Sequence, residues 1–351
     1  MTTTRRAGIK DVAALAGVSQ ATVSRALNAD LSAMVTEETR MRVLAAAESL
    51  EYFPNPLAVG MQKGRSAIVG LVITSLADAY LASRIIDGAH RVLWDGGVLL
   101  AVMSAAGSPQ REQVMFKRLY GRRVDGVIYV ATSYQVPDVA SRTPMVLVNA
   151  ESGTAAMPCV VPDEIEGAAA AVAELVAAGH LRIGFVAPTG AQPAAGRLHG
   201  YRQALTRAGL PEDPQLIIVD DQATIRGGWR AVTRLLQRPA RPTAVLCHND
   251  RMAVGAYEAA RGVGLEVPDD LSVIAFEQDG PAVAETLSPS LTTIALPHFE
   301  MGTHAATAIL DLISESPPIN GERGQRTLVP CNLHRRCSVA RPRAAAIMTQ
   351  Q

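Results

Sequence analysis

The chain has 351 residues, 48% of them hydrophobic and 19% charged, with 33 basic side chains against 33 acidic ones. That length exceeds one compact core and implies about two or three domains, and that composition excludes a disordered chain. A net charge of zero excludes a uniformly basic coat, so any nucleic-acid surface has to be local. Aromatic residues make up only 4%, which leaves Ala, Val and Leu to fill the cores. Cys159, Cys247, Cys331 and Cys337 form no CxxC pair, so no metal site and no disulfide is expected, as in a reducing compartment. No apolar run has membrane-spanning length, and the start, MTTTRRAGIKD, lacks the hydrophobic stretch of a signal peptide. A cytoplasmic location without membrane contact follows as the expectation.

Residues 1–7 carry Arg5 and Arg6 and read as a disordered basic arm. Residues 8–28, GIKDVAALAGVSQATVSRALN, pattern as two short helices around a tight turn. Val12, Ala13 and Ala16 recur at helical spacing and give the first helix an apolar face. Gly17 follows, where a left-handed residue is least costly, and Ser19 can cap the second helix with its side-chain oxygen. Val23 and Leu27 lie one turn apart and face Ala13, leaving Gln20, Ala21, Ser24 and Arg25 on the outer face. This is the layout of a helix-turn-helix whose second helix enters the major groove of DNA. An ordinary helical hairpin has the same periodicity.

The run Ile9-Lys10-Asp11-Val12-Ala13, then Ala16-Gly17-Val18-Ser19, Thr22-Val23-Ser24-Arg25 and Leu27-Asn28 resembles the headpiece of the lactose-repressor (LacI/GalR) family. The resemblance implies base contacts from Gln20, Ala21 and Arg25, and DNA-backbone contacts from Ser19, Thr22, Ser24 and Asn28. Chemistry agrees, since Arg can fork onto guanine, Gln can pair with adenine, and Ala offers only an apolar contact such as to a thymine methyl. Gly8 stands where the family commonly has Thr, which removes one phosphate contact.

A third helix is expected from Thr36, with Glu37 and Glu38 in the first turn, where the helix dipole favours them. Val43, Leu44, Ala47 and Leu50 give it an apolar stripe. The loop at 29–35 is longer than the family's. Residues 52–56, YFPNP, stop the helix and close the headpiece, 1–54. The resemblance makes 55–66 a hinge helix that orders on operator DNA and wedges Met61 into the minor groove, where an apolar side chain unstacks a base step. Gly60 weakens that helix by about 1 kcal/mol relative to Ala.

From residue 67 the pattern changes. Residues 67–73, AIVGLVI, form a continuous apolar run suited to a strand buried on both faces. Helices are predicted over 80–95, 110–121, 164–178, 197–208, 227–237 and 250–261, alternating with strands over 97–103, 126–130, 144–149, 182–186, 216–219, 244–247 and 272–276. Such alternation means parallel sheets covered by helices. The resemblance implies a two-lobed α/β body like that of periplasmic binding proteins, over 67–341. The first lobe covers about 67–162 and 293–326, and the second about 163–292 and 327–341. Residues 342–351 read as a disordered tail without a leucine heptad.

The expected ligand cleft lies between the lobes, at the carboxyl ends of the strands. Carried over one position at a time, the family's effector contacts fall on Ser75, Tyr80, Asn149, Arg197, Asn249 and Glu277. A guanidinium fork and an amide suit the hydroxyls of a polar ligand. Ser75, Asn149 and Glu277 stand where Asp is common, and Tyr80 where Phe is. Ala223 is too small to stack on a sugar ring, and Ala191 and Pro193 lack the polar groups that would grip a nucleobase.

Together these residues predict a DNA-binding transcription regulator, a repressor acting as a homodimer on a near-palindromic operator under a small polar effector, sugar-like rather than a nucleobase. A solute-binding protein would share the body but not the headpiece. A DNA-tethered enzyme would need catalytic residues, and GxGxxG, GxxxxGK[ST], GxSxG and HExxH are all absent. No cofactor is expected.

Overall fold

The structure is a computed structural model and describes residues 7–27, 34–52, 65–76, 79–131, 143–151, 157–190, 192–220, 222–277, 279–314 and 325–343. Contacts divide the chain into two units, Met1–Ala67 and Ile68–Gln351.

In the first unit α1 (Ile9–Ala16), α2 (Gln20–Leu27) and α3 (Glu37–Ser49) enclose a core built on Val12, Ala13, Val23, Ala26, Val43 and Ala47. Gly17 adopts φ 65°, the left-handed conformation that turns the chain between α1 and α2. Ser19 Oγ accepts from the Thr22 amide at 3.1 Å, and Thr36 Oγ1 accepts from the Thr39 amide at 3.4 Å, so α2 and α3 both start on a hydroxyl cap. One position of the expected α3 stripe is corrected. Leu44 is 39% exposed and Ala46 is buried instead, because the buried stripe runs through Val43, Ala46, Ala47 and Leu50 at i, i+3, i+4 and i+7.

The second unit holds two sheets. The first has the order β11-β5-β4-β3-β1-β2, where β1 is Ile68–Ile73, β2 Leu99–Ser104, β3 Gly126–Val130, β4 Met145–Val148, β5 Cys159–Pro162 and β11 Arg326–Val329. All its pairings are parallel. The second has the order β12-β10-β9-β8-β6-β7, where β6 is Ile183–Pro188, β7 Ile217–Asp220, β8 Ala244–Cys247, β9 Ser272–Glu277, β10 Thr292–Ala295 and β12 Asn332–His334. Its one antiparallel pairing among the described residues is β10 with β12 at the edge.

The expected lobe boundaries shift accordingly. Strand β10 pairs with β9, so 293–295 belong to the second lobe, and β11 pairs with β5, so 326–329 belong to the first. The chain therefore changes lobes after Pro162, at Leu296–Pro297 and at Pro330–Cys331. Ladder hydrogen bonds fix these points, and the apolar pattern at 292–295 and 326–329 does not reveal which sheet a strand joins.

Helices α4 (Ala79–Asp95) and α11 (His298–Ser314) pack together on one face of the first sheet, with α5 (Pro109–Gly121) packed on β1 through a separate core. On the second sheet α6 (Glu164–Ala177) pairs with α7 (Gln192–Arg207), and α8 (Ile225–Leu236) with α9 (Asp250–Gly262); α10 (Pro281–Thr286) follows β9. Helix α7 starts five residues before the predicted 197, because Pro193 is compatible with a first helical turn. The helix pairs approach so closely that glycine is required at the crossings. A Cβ on Gly255 would run into the carbonyl oxygen of Ile225, and one on Gly302 into that of Ile85.

His180 pins the end of the second lobe. It is 1% exposed; its Nε2 donates to the Ala340 carbonyl at 2.9 Å and its Nδ1 accepts from the Thr243 hydroxyl at 2.9 Å. Burial lowers its pKa to about 4.

Two outcomes follow. Gly255→Val should destabilise the body by about 3 kcal/mol or more, since the backbone it meets cannot move aside; a urea melt of the full chain measures this. The unfolded chain binds a proton on His180 below pH 6.5 and the folded chain only near 4, so stability is full above pH 6.5 and falls as pH drops toward 4. Melting temperature should decline from pH 7 to pH 5, and less steeply in His180→Gln.

Candidate DNA-reading face and ligand cleft

On α2 the buried residues are Val23 and Ala26, which turns Gln20, Ala21 and Arg25 outward; all three are exposed, as is Ser19. Thr22 and Ser24 are half-buried beside them. Ser19 and Thr22, two of the four residues expected on the DNA backbone, share a 2.9 Å hydroxyl contact at the helix start. The helix carries no acidic side chain. An exposed α2 of this kind presents side chains that can fit a major groove, with its first turn toward phosphates. Asn28 and Met61 lie outside the described residues.

In the body, Arg197 rises from the second turn of α7 and is 3% exposed. Its Nε and Nη2 donate to the two carboxylate oxygens of Glu164 at 2.6 and 2.9 Å, a bidentate pair. Nη1 donates to the His248 carbonyl, and the guanidinium lies 3.8 Å from the centre of the Phe276 ring. Glu164 opens α6 directly after the first lobe crossing, capped by Asp163, whose carboxylate accepts from the Glu166 amide. Arg197 thus ties α6, α7, β8 and β9 together at the cleft end of the second sheet.

Asn249 is the N-cap of α9. It is fully buried, its Oδ1 accepting from the Met252 amide at 2.8 Å and its Nδ2 donating to the Ala223 carbonyl at 3.3 Å. That capping role was not foreseen. Asn149 ends β4 at φ 59°, a left-handed conformation that Asn tolerates, and donates to the Ala131 carbonyl at 2.8 Å. Ser75 is half-buried just beyond β1.

Two predicted residues share a cavity. Tyr80 from the first lobe and Glu277 from the second both line a space of about 680 Å³. Burial raises the Tyr80 pKa, with a further push from the Glu277 carboxylate. Tyr80 also abuts Gly280, where a Cβ would come within 2.7 Å of its ring, and it meets His298 edge-on at 6.1 Å. Glu277 accepts from the Thr293 hydroxyl at 2.9 Å and has Arg336 at 3.8 Å. Ser75, Asn149, Arg197 and Asn249 do not line this cavity. The sequence reading missed His298, Arg336 and Glu164. His298 and Arg336 stand beside the second and third lobe crossings, so a search of the crossover segments would have found them.

A helix-turn-helix headpiece on a two-lobed body of parallel sheets, with polar side chains from both lobes around one cavity, defines a ligand-responsive DNA-binding regulator. The comparisons agree. Residues 8–55 match the family of bacterial regulatory proteins, lacI family, and residues 172–339 match the periplasmic binding protein-like domain. The chain is 35% identical over 333 residues to the HTH-type transcriptional repressor CytR of Escherichia coli (strain K12), covering 93% of this chain and 94% of that one. It is 33% identical over 327 residues to the ribose operon repressor of the same strain, covering 92% and 97%. The lac repressor dimer bound to operator and the anti-inducer ONPF superposes with a TM-score of 0.78 at 25% identity, over 96% of this chain and 100% of that chain. The chain belongs to the lacI family of bacterial regulatory proteins. It is a DNA-binding transcription regulator, and its relatives are repressors, not enzymes. No helix among the described residues is long and apolar enough to cross a membrane.

Removing Glu164 leaves a guanidinium buried without its counter-charge. Glu164→Ala should therefore cost about 3–5 kcal/mol in urea unfolding. Replacing both partners together, as Arg197→Met with Glu164→Gln, should cost markedly less.

Proposed function

We propose that the chain is a homodimeric cytoplasmic repressor that binds a near-palindromic operator and is switched by a sugar or sugar derivative held between its lobes. The observation that carries the effector reading is the meeting of Tyr80 and Glu277 from opposite lobes on one cavity. A ligand touching both lobes favours one lobe-to-lobe angle, and it shifts the protein only by its differential affinity for the two states. In this reading Tyr80 and Glu277 contact the effector in that cavity, and Ser75, Asn149, Arg197 and Asn249, carried over from the family resemblance, are further effector contacts outside its lining.

Gln20, Ala21 and Arg25 read bases, Ser19, Thr22, Ser24 and Asn28 contact the backbone, and Met61 is the minor-groove wedge. Dimer formation is supported by apolar surface on both lobes. Edge strand β2 exposes Leu99 and Val102, and α8 exposes Ile225 and Trp229 one turn apart. Uncovered apolar edges of this kind invite pairing, and a second copy covers them without further residues.

Arg25→Ala should weaken operator binding by about 1–3 kcal/mol per half-site and relax one base position, read by selection from random duplexes. An unchanged binding-site logo would remove the base-reading assignment. For the switch, the double substitution Arg197→Met with Glu164→Gln is more informative than Arg197→Ala, which strands Glu164. The doubly substituted protein should bind operator but lose its response to ligand, as measured by fluorescence anisotropy. A wild-type response would place the effector elsewhere.

A further inference from the structure

The first lobe carries a basic face that the headpiece and the cleft leave unused. Helix α5 and the residues just past it hold Arg111, Lys117, Arg118, Arg122 and Arg123, all exposed, and none of them pairs with a carboxylate among the described residues. The one acid on α5, Glu112, accepts instead from the Tyr129 hydroxyl at 3.2 Å. In a chain with 33 basic and 33 acidic side chains this is a local excess of cations. The helix dipole favours a cation in the last turn. It does not account for Lys117, Arg118, Arg122 and Arg123 together.

Packing fixes where this face ends. Gly70 of β1 leaves room for Leu119, which a Cβ there would meet at 2.8 Å, so the last turns of α5 lie directly on β1. The helix runs from the far end of β2 back to the start of β3, and both strands are parallel to β1. Val69 is level with Gly126, and the Asp125 amide donates to the Ile68 carbonyl at 2.9 Å. Arg122 and Arg123 therefore stand at the edge of the first sheet where the chain enters the body, and Arg111 at the opposite end of α5. Arg123 holds φ 53°, the left-handed position after a helix that glycine usually takes. Glycine would adopt it without strain, whereas arginine places one more cation at that edge.

With Met61 as the minor-groove wedge, seven residues separate Ile68 from the DNA, and they span at most about 25 Å. Covalent length thus keeps the Arg122 and Arg123 edge within reach of a duplex whose two phosphate backbones flank that groove. A guanidinium fork suits phosphate.

We propose that the body itself binds DNA. Arg122 and Arg123 each neutralise a backbone phosphate beside the wedged step, which adds affinity without sequence preference. The proposal rests on the reading of Met61 as the wedge.

The test is operator binding by the full chain, followed by fluorescence anisotropy between about 50 and 300 mM KCl. Each phosphate contact contributes about 0.9 to the slope of log affinity against log salt. In the dimer, Arg122→Gln with Arg123→Gln should make that slope shallower by about 3 to 4 and weaken binding about tenfold or more. The binding-site logo should stay unchanged, because phosphate contacts carry no base information. Arg111→Gln with Arg234→Gln removes the same charge from other exposed positions of the body and should move the slope by less than about 1. An equal change in the two double variants overturns the proposal. So does a wild-type slope in the first, which leaves the face to an acidic protein. If the first variant fails to fold, Arg123→Gly serves. It relieves the left-handed strain, so it should melt no lower than wild type, with a slope shallower by about 2. A wild-type slope in that variant overturns the proposal.

Met61→Ala separates the two readings. If it binds operator as wild type does while the arginine variants lose slope, the wedge reading fails and the phosphate contacts stand. If it weakens binding while the arginine variants keep the wild-type slope, the phosphate contacts fail and the wedge stands.

Discussion

The pairing of Arg197 with Glu164 is the constraint on which the cleft end of the second lobe depends. Two charges at 4% and 10% side-chain exposure are tolerable only when each answers the other, and here the answer is bidentate. The geometry reaches further than the pair. Glu164 stands directly after the chain leaves the first lobe, Arg197 bonds the carbonyl just past β8, and its guanidinium lies on the Phe276 ring of β9. One side chain therefore sets where the first crossing, the α7 start and two strand ends sit relative to each other. Glu277, the next residue after Phe276, inherits its position from that arrangement.

Much of this was legible in the sequence. The headpiece was readable because short amphipathic helices with hydroxyl caps and a left-handed glycine leave local signals, at Ser19, Thr36 and Gly17. The alternating body was readable because continuous apolar runs such as 67–73 have few other uses. The failures have physical causes too. Leu44 was misplaced because an apolar residue at the margin of a helix face can lie on either side of it. The crossings near 292 and 327 were misplaced because sheet membership is decided by long-range ladder bonds. The N-cap role of Asn249 was missed, although an Asn directly before a helix is a common cap. The carboxylate partner of Arg197 was missed because nothing local shows that it lies 33 positions away in sequence, across a helix pair.

The division of labour follows from where stability is placed. The sheets and their glycine-tight helix pairs are rigid, with strands such as β3, β6 and β9 buried along their whole length. Polar residues such as Asn149, Arg197, Asn249 and Glu277 stand at or just beyond the strand ends and at the helix starts that follow them. The headpiece has only a small core, built on Val12, Ala13, Val23, Ala26, Val43 and Ala47.

Linkage supplies the most direct test. If a ligand between the lobes alters operator affinity, the operator must alter ligand affinity by the same factor. The measurement is calorimetric titration of the effector sugar into the free protein and into the operator-bound dimer. The account predicts two different affinities, whose ratio equals the change in operator affinity at saturating sugar. Equal affinities in the two titrations would contradict it.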